Sequence, residues 1–219
     1  VAFMLVSYFP IPSMIGEMKT KPTQNAVRQM QAIGIQPDII IARSSQPLDA
    51  VRKEKVSIFC NMRPQDIISA PDVKSIYDVP INFEKDHLGI HLLEKFGLKP
   101  RVRDGHQWRA LVKRMHALTH EVRIGIVGKY FGTGDFTLSD SYISVIESLK
   151  HASWKVGAKL AIDWLSSEEY EKKPKSVVGL TAYDGILVPG GFGARGVEGK
   201  MLAIRYCREQ KIPYFGLCY

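Results

Sequence analysis

A chain of 219 residues, 45% hydrophobic and 24% charged, has the composition of a globular protein with one large core or two smaller ones, which excludes a disordered or fibrous chain. Thirty Lys and Arg against 22 Asp and Glu leave a net charge of +8; the basic residues are dispersed, so nucleotide phosphates suit them and a nucleic-acid groove does not. Three widely spaced cysteines, Cys60, Cys207 and Cys218, argue against a disulfide framework and against a zinc site, and make a reducing cytoplasm the expected compartment.

The opening VAFMLVSYF is apolar, but it lacks the flanking signals of a leader and is about half the length of a membrane span, so a buried strand and no membrane association are expected. TQNAVRQMQAIG then places Val27, Met30 and Ile33 on one helical face before Gly34. PDIIIAR reads as a fully buried strand, PLDAVRKEKVSIFC as a helix and DIISA as a short strand. DVKSIYDVP is expected to be a helical turn stopped by Pro80, and FEKDHLGIHLLEKFG one helix ending at Gly97. From about Lys99 to His120 the chain is basic and polar around an amphipathic helix with Trp108, Leu111, Val112, Met115 and Leu118 on one face. That stretch marks a boundary, giving a first domain over 1–100, a linker helix over 101–120 and a second domain over 121–219.

In the second domain, VRIGIVGKY reads as a strand covered on both faces. SDSYISVIESLKHA reads as a helix capped by Ser139 or Asp140, and the insert from Phe131 to Leu138 as an exposed loop. AKLAIDWL is a strand, EEYEKKPK a solvated loop, DGILVPGG a buried strand entering a glycine-rich turn, EGKMLAIRYCREQ a helix and IPYFGLC a final strand. Alternating strands and helices predict an α/β fold: two three-layer α/β/α units with mostly parallel sheets.

Three stretches bear on chemistry. In GEMKTKPTQ, Lys19 and Lys21 are spaced to project the same way from an extended segment, with Thr23 as cap of the following helix. Two cations beside a positive helix end suit a triphosphate; the same residues also describe a loop of solvated lysines. In VPGGFGARGVEG, a glycine pair after a buried strand permits an oxyanion hole built from backbone N–H groups, or simply a tight turn. Cys218 stands where a strand-to-helix turn would expose a nucleophile, with Gly216 as the residue allowing a close approach, although a plain core thiol fits the same pattern. All six histidines precede the glycine-rich turn.

Together GEMKTKPTQ, PDIIIARS, KVSIFCN, DVKSIYDVP, IGIVGKY, LVPGGFGARGVEGK and IPYFGLC, in that order, closely resemble the CTP synthase family. The resemblance implies an amidoligase part with a P-loop-like fold and a flavodoxin-like class I glutaminase part. The amidoligase would use ATP and Mg²⁺ to phosphorylate the 4-oxygen of UTP, and ammonia from glutamine would displace the phosphate. It assigns UTP, or CTP as feedback inhibitor, to Lys19, Thr20, Lys21, Pro22, Thr23, Gln24 and Lys55, and ATP to Arg43, Asp72 and Val73. It makes Cys218 the nucleophile that forms a glutamyl thioester and Gly191 the glutamine and oxyanion contact. It associates Arg195, Gly196 and Glu198 with activation by GTP, and implies a homotetramer. In the family a phosphate-binding loop and the acidic Mg²⁺ ligands precede the first strand matched here, and a His-x-Glu pair follows the nucleophile. Neither lies in this sequence, and Tyr219 stands where the family has Leu. The expectation is therefore an internal, incomplete piece of both domains that is inactive alone. The alternatives are a truncated nucleotide-binding regulatory subunit, or another class I glutamine amidotransferase such as a γ-glutamyl hydrolase, whose first domain would have no reason to carry KTKPTQ.

Overall fold

The computed structural model describes residues 1–101, 104–129, 132–133, 136–137, 142–191 and 193–218. Two compact units, Val1–Val112 and Lys113–Tyr219, divide the chain. Both are α/β, each built on a mostly parallel sheet.

The first unit holds β1 (Met4–Tyr8), β2 (Ile39–Ser44) and β3 (Ile67–Pro71), all parallel in that order. The isoleucine run of β2 lies in the centre, where both faces are covered, and Ile39, Ile40 and Ile41 are buried accordingly. Helices α1 (Lys21–Ala32) and α2 (Ala50–Cys60) complete one core with Val27, Val56 and Cys60. On the other face of β2, Ile39, Ile41 and Ile68 meet Leu88 and Phe83.

Five expectations for this unit change. The opening strand is not buried: among the described residues β1 pairs only with β2, and Met4, Val6 and Tyr8 are exposed. Helix α1 begins at Lys21, because Pro22 in its first turn is preset for helix and its missing N–H costs nothing there. The cap position is Thr20, without a side-chain capping bond, and Thr23 lies inside the helix. Ile33 falls beyond the helix end at Ala32 and leaves the Val27 and Met30 stripe, so it is exposed. Pro80 likewise opens a helix: after the 3-10 turn Ile76–Asp78 it sits in the first turn of α3 (Val79–Lys85). The helix expected through to Gly97 is two, α3 and α4 (Leu88–Lys95), broken where His87 takes φ 55°. Asp86 accounts for the break, since one of its carboxylate oxygens accepts from the Ser69 N–H at 2.6 Å and from Lys53 Nζ at 2.8 Å.

Helix α5 (His106–His116) spans the division between units. Val112 is buried and Trp108 stacks on Tyr77 at 5.7 Å while donating to the Tyr77 carbonyl at 2.9 Å.

The second unit carries a sheet ordered β7 (Lys159–Ser166), β4 (Glu121–Gly128), β8 (Gly185–Val188), β9 (Tyr214–Gly216), all parallel. Full burial of β4 is confined to its second half, Gly125 to Gly128. Helix α6 (Ile143–Val156) ends at Gly157 with φ 80°. The candidate caps Ser139 and Asp140 lie outside the described residues, as does most of the insert from Phe131 to Leu138, whose described backbone pairs β5 (Gly132–Thr133) with β6 (Phe136–Thr137) in antiparallel fashion. EEYEKKPK is not a loop: α7 (Ser167–Lys172) buries Tyr170 in the core, and a 3-10 helix, Pro174–Ala182, follows. Helix α8 (Val197–Gln210) packs Ala203 and Cys207 into that core with Val127, Leu180 and Val188. Among the described residues no helix is long and apolar enough to cross a membrane.

Candidate functional site

In both units the singled-out residues gather at the carboxyl ends of parallel strands, where open α/β sheets bind ligands. In the first unit α1 starts beside the end of β1, and Thr23 Oγ1 shares a hydrogen bond with Ser7 Oγ at 2.7 Å. Thr20, Thr23 and Gln24 are buried, and Gln24 Nε2 donates to Thr20 Oγ1 at 3.1 Å. This buried polar set fixes the helix start. The two lysines do not act alike. Lys19 precedes the helix and pairs with Glu17 at 2.6 Å, whereas Lys21 is the exposed first helical residue. The hydrogen bond from Lys19 holds the Glu17 carboxyl below its ordinary pKa, and the charges of Arg52 and Lys55 pull in the same direction.

Arg43, Asp72 and Val73 come together. Arg43 Nη1 donates to the Ala70 carbonyl at 2.6 Å and Nη2 to Asp72 Oδ1 at 2.7 Å. The Asp72 N–H in turn donates to the Ser44 carbonyl at 2.8 Å. All three line one cavity of about 430 Å³, whose apolar wall is Ile76, Val79 and Phe83. The Arg43–Asp72 pair is solvent-exposed, where such pairs add at most about 1 kcal/mol, so its consequence is orientation of the guanidinium. Among the described residues no three Asp, Glu, His or Cys side chains converge as metal ligands.

In the second unit β8 runs into Pro189, Gly190 and Gly191, and β9 into Leu217 and Cys218. The thiol is exposed, and Cys218 has φ 62°, a left-handed conformation unusual for a residue with a side chain. Such strain is characteristic of sharp turns that present a nucleophile. The glycine that makes room for it is Gly190. A Cβ there would lie 2.7 Å from Cys218 Cβ and 3.1 Å from Sγ. The expected glycine, Gly216, faces the Tyr214 hydroxyl instead. Cys218, Gly191, Lys200 and Met201 line a cavity of about 260 Å³. None of the six histidines is among its lining residues.

Two functional candidates were missed by the sequence reading. Lys129, directly after β4, is 5% exposed and donates to the Gly193 carbonyl at 2.6 Å; Lys200 of α8 is 7% exposed and donates to the Pro189 carbonyl at 2.7 Å. Both tie down the glycine-rich turn. Burial pushes the Lys200 pKa down, the Lys129 charge adds to that, and Cys218 acts in the opposite sense. Lys200 was legible: with Ala203 and Cys207 it falls on the buried stripe of its helix. Beside the turn, Arg195 Nε pairs with Glu168 at 2.6 Å, Gly196 caps α8 with φ 74° and Glu198 sits in the first turn of α8.

Similarity to known proteins follows the same division. Residues 1–98 match the family described as CTP synthase N-terminus, and residues 137–219 match glutamine amidotransferase class-I. Over all of its length the chain is 47% identical to a CTP synthase of Thermococcus gammatolerans, of which it covers 40%. It is 44% identical to a CTP synthase of a Synechococcus strain, of which it covers 39%. The glutaminase domain of Trypanosoma brucei CTPS, solved with bound acivicin, aligns over 43% of this chain and 35% of that one at 41% identity, with a TM-score of 0.39. The class so defined is a two-unit α/β protein with a class I glutamine amidotransferase sequence in its second unit. By sequence, the chain belongs to the CTP synthase family and spans about two fifths of the length of those relatives.

Proposed function

We propose that this chain is part of a cytoplasmic, homotetrameric enzyme that aminates UTP to CTP with ATP, drawing ammonia from glutamine. The observation that carries the reading is Cys218, an exposed thiol in a left-handed turn against Gly190 at the carboxyl end of the sheet. The Cys218 sulfur attacks the side-chain amide carbon of glutamine, the C–N bond breaks, and the thiol proton passes to the departing nitrogen, so that ammonia leaves and a glutamyl thioester remains. Gly191, on the wall of the same cavity, contacts the substrate and supplies its N–H to the oxyanion. Water then releases glutamate.

In the first unit, phosphoryl transfer from ATP to the 4-oxygen of UTP brings two triphosphates together, and cations must offset the crowded charge. Lys19, Thr20, Lys21, Pro22, Thr23, Gln24 and Lys55 hold UTP, or CTP as inhibitor, at the start of α1. Binding would draw Lys19 from Glu17 onto phosphate. Arg43, Asp72 and Val73 hold ATP in the 430 Å³ cavity. Arg195, Gly196 and Glu198, at the start of α8, respond to GTP.

The chain by itself is expected to hydrolyse no glutamine, since no histidine stands at the Cys218 cavity to act as base, and so to make no CTP from glutamine. Incubation with UTP, ATP, Mg²⁺ and glutamine is the direct check, and appearance of CTP would refute that inactivity. Calorimetry tests the nucleotide half. UTP affinity is expected to fall at least about tenfold in the Lys19→Ala, Lys21→Ala double variant, as loss of charge-assisted phosphate contacts requires. Unchanged UTP binding would contradict the assignment.

A further inference from the structure

Lys200 is buried, yet its ammonium donates to a neutral group, the Pro189 carbonyl. Burying a cation on a neutral partner is costly, and a Met or Leu at this stripe position would pack beside Ala203 and Cys207 without that cost. A second ammonium, Lys129, is close enough to oppose its charge. A buried Lys200 cation on a neutral carbonyl therefore destabilises the fold locally unless negative charge arrives. Cys218 shares the Lys200 cavity and is where a thiolate forms if it attacks an amide.

The anchored peptide has its own geometry. Peptide planarity sets the Gly190 N–H opposite the Pro189 carbonyl, so the bond from Lys200 fixes where that N–H points. Gly190 is also the residue in contact with Cys218. One side chain thus controls both the turn against the thiol and the charge near it.

We propose that Lys200 is a positioning residue for Cys218, anchoring the turn at Pro189 and placing buried positive charge in the cavity that the thiol lines. This rests on Cys218 being the nucleophile. Lys129 supports the same turn from the end of β4, through Gly193.

The test is alkylation of Cys218 in the full chain by anionic iodoacetate and by neutral iodoacetamide, with the modified residue located by mass spectrometry. A purely structural lysine would not change the ratio of the two rates. In Lys200→Met the iodoacetate-to-iodoacetamide ratio is expected to fall about tenfold, and in Lys200→Arg to stay within about twofold of wild type. Lys200→Gln, which keeps a donor for Pro189 and loses the charge, is expected to behave like Lys200→Met; it also serves if the Met variant does not fold. A wild-type ratio in either neutral variant overturns the proposal while leaving the nucleophile reading intact. If neither reagent modifies Cys218 in the wild-type chain, the nucleophile reading itself fails and this proposal falls with it.

Discussion

Gly190 sets a close steric limit at Cys218. Replacing Gly190 with Ala puts a methyl 2.7 Å from Cys218 Cβ, which the left-handed turn can relieve only by moving. Gly190→Ala is expected to cost roughly 1–3 kcal/mol in thermal or denaturant unfolding, and to slow Cys218 alkylation, as overpacking does. Wild-type stability together with wild-type alkylation would contradict the contact. Asp66 carries a separate expectation. Burial alone would raise its pKa, but hydrogen bonds from Arg63 and Lys95 outweigh burial and hold the carboxyl below its ordinary value. A carboxyl depressed on folding stabilises the fold above its unfolded pKa, near 4, and that contribution disappears as pH falls through the lower folded value. Asp66→Asn should therefore be less stable than wild type by about 2 kcal/mol at neutral pH, and the gap should close in strong acid, measured by urea unfolding across pH. At this scale the sequence showed the nucleophile candidate through its neighbours but not the strain, because Gly190 is brought to Cys218 by the pairing of β8 with β9.

Helix starts account for most of what the elements add. Asp49 caps α2, accepting from the Arg52 N–H at 2.7 Å, and Asp49→Ala is expected to lower stability by about 1 kcal/mol. No change in the unfolding midpoint would mean that the cap is already replaced by water. Helices α7 and α8 approach closely where Gly199 meets the Ser167 carbonyl, and a Cβ at Gly199 would collide with that backbone oxygen. The strands of the two parallel sheets were legible, β2 and β8 most of all, because continuous apolar runs are most simply buried by covering on both faces; the β5–β6 pair inside the insert read as a loop was not. Helix boundaries were less so. Pro80 stops or starts a helix with the same residue type, and only the 3-10 turn before it decides which. Tyr170 was lost among charged neighbours in EEYEKKPK, since one buried aromatic gives no period to detect. The buried Lys129 follows from tertiary contact with Gly193 and has no local signal of its own.

On the scale of the molecule, each unit has its own core and its own cluster of chemical groups at strand carboxyl ends. In the second unit the chain passes from β4 outward to β7 and then to β8 on the other side of β4, so a switch point lies between β4 and β8. Lys129 and the Pro189 to Gly193 turn meet there, as topology alone would place a site. Ile40→Ala, in the first core, is expected to destabilise that unit by about 2–5 kcal/mol in denaturant unfolding. The order of βα elements made the architecture readable, whereas the meeting of residues far apart in sequence, such as Arg43 with Asp72, depends on strand register. The most direct measurement of the central claim is exposure of the chain to a thiol-directed glutamine analogue, followed by peptide mass spectrometry. The expected result is an adduct on Cys218 alone, blocked by glutamine, with the buried Cys60 and Cys207 untouched. Unmodified Cys218, or labelling that glutamine does not block, would contradict it.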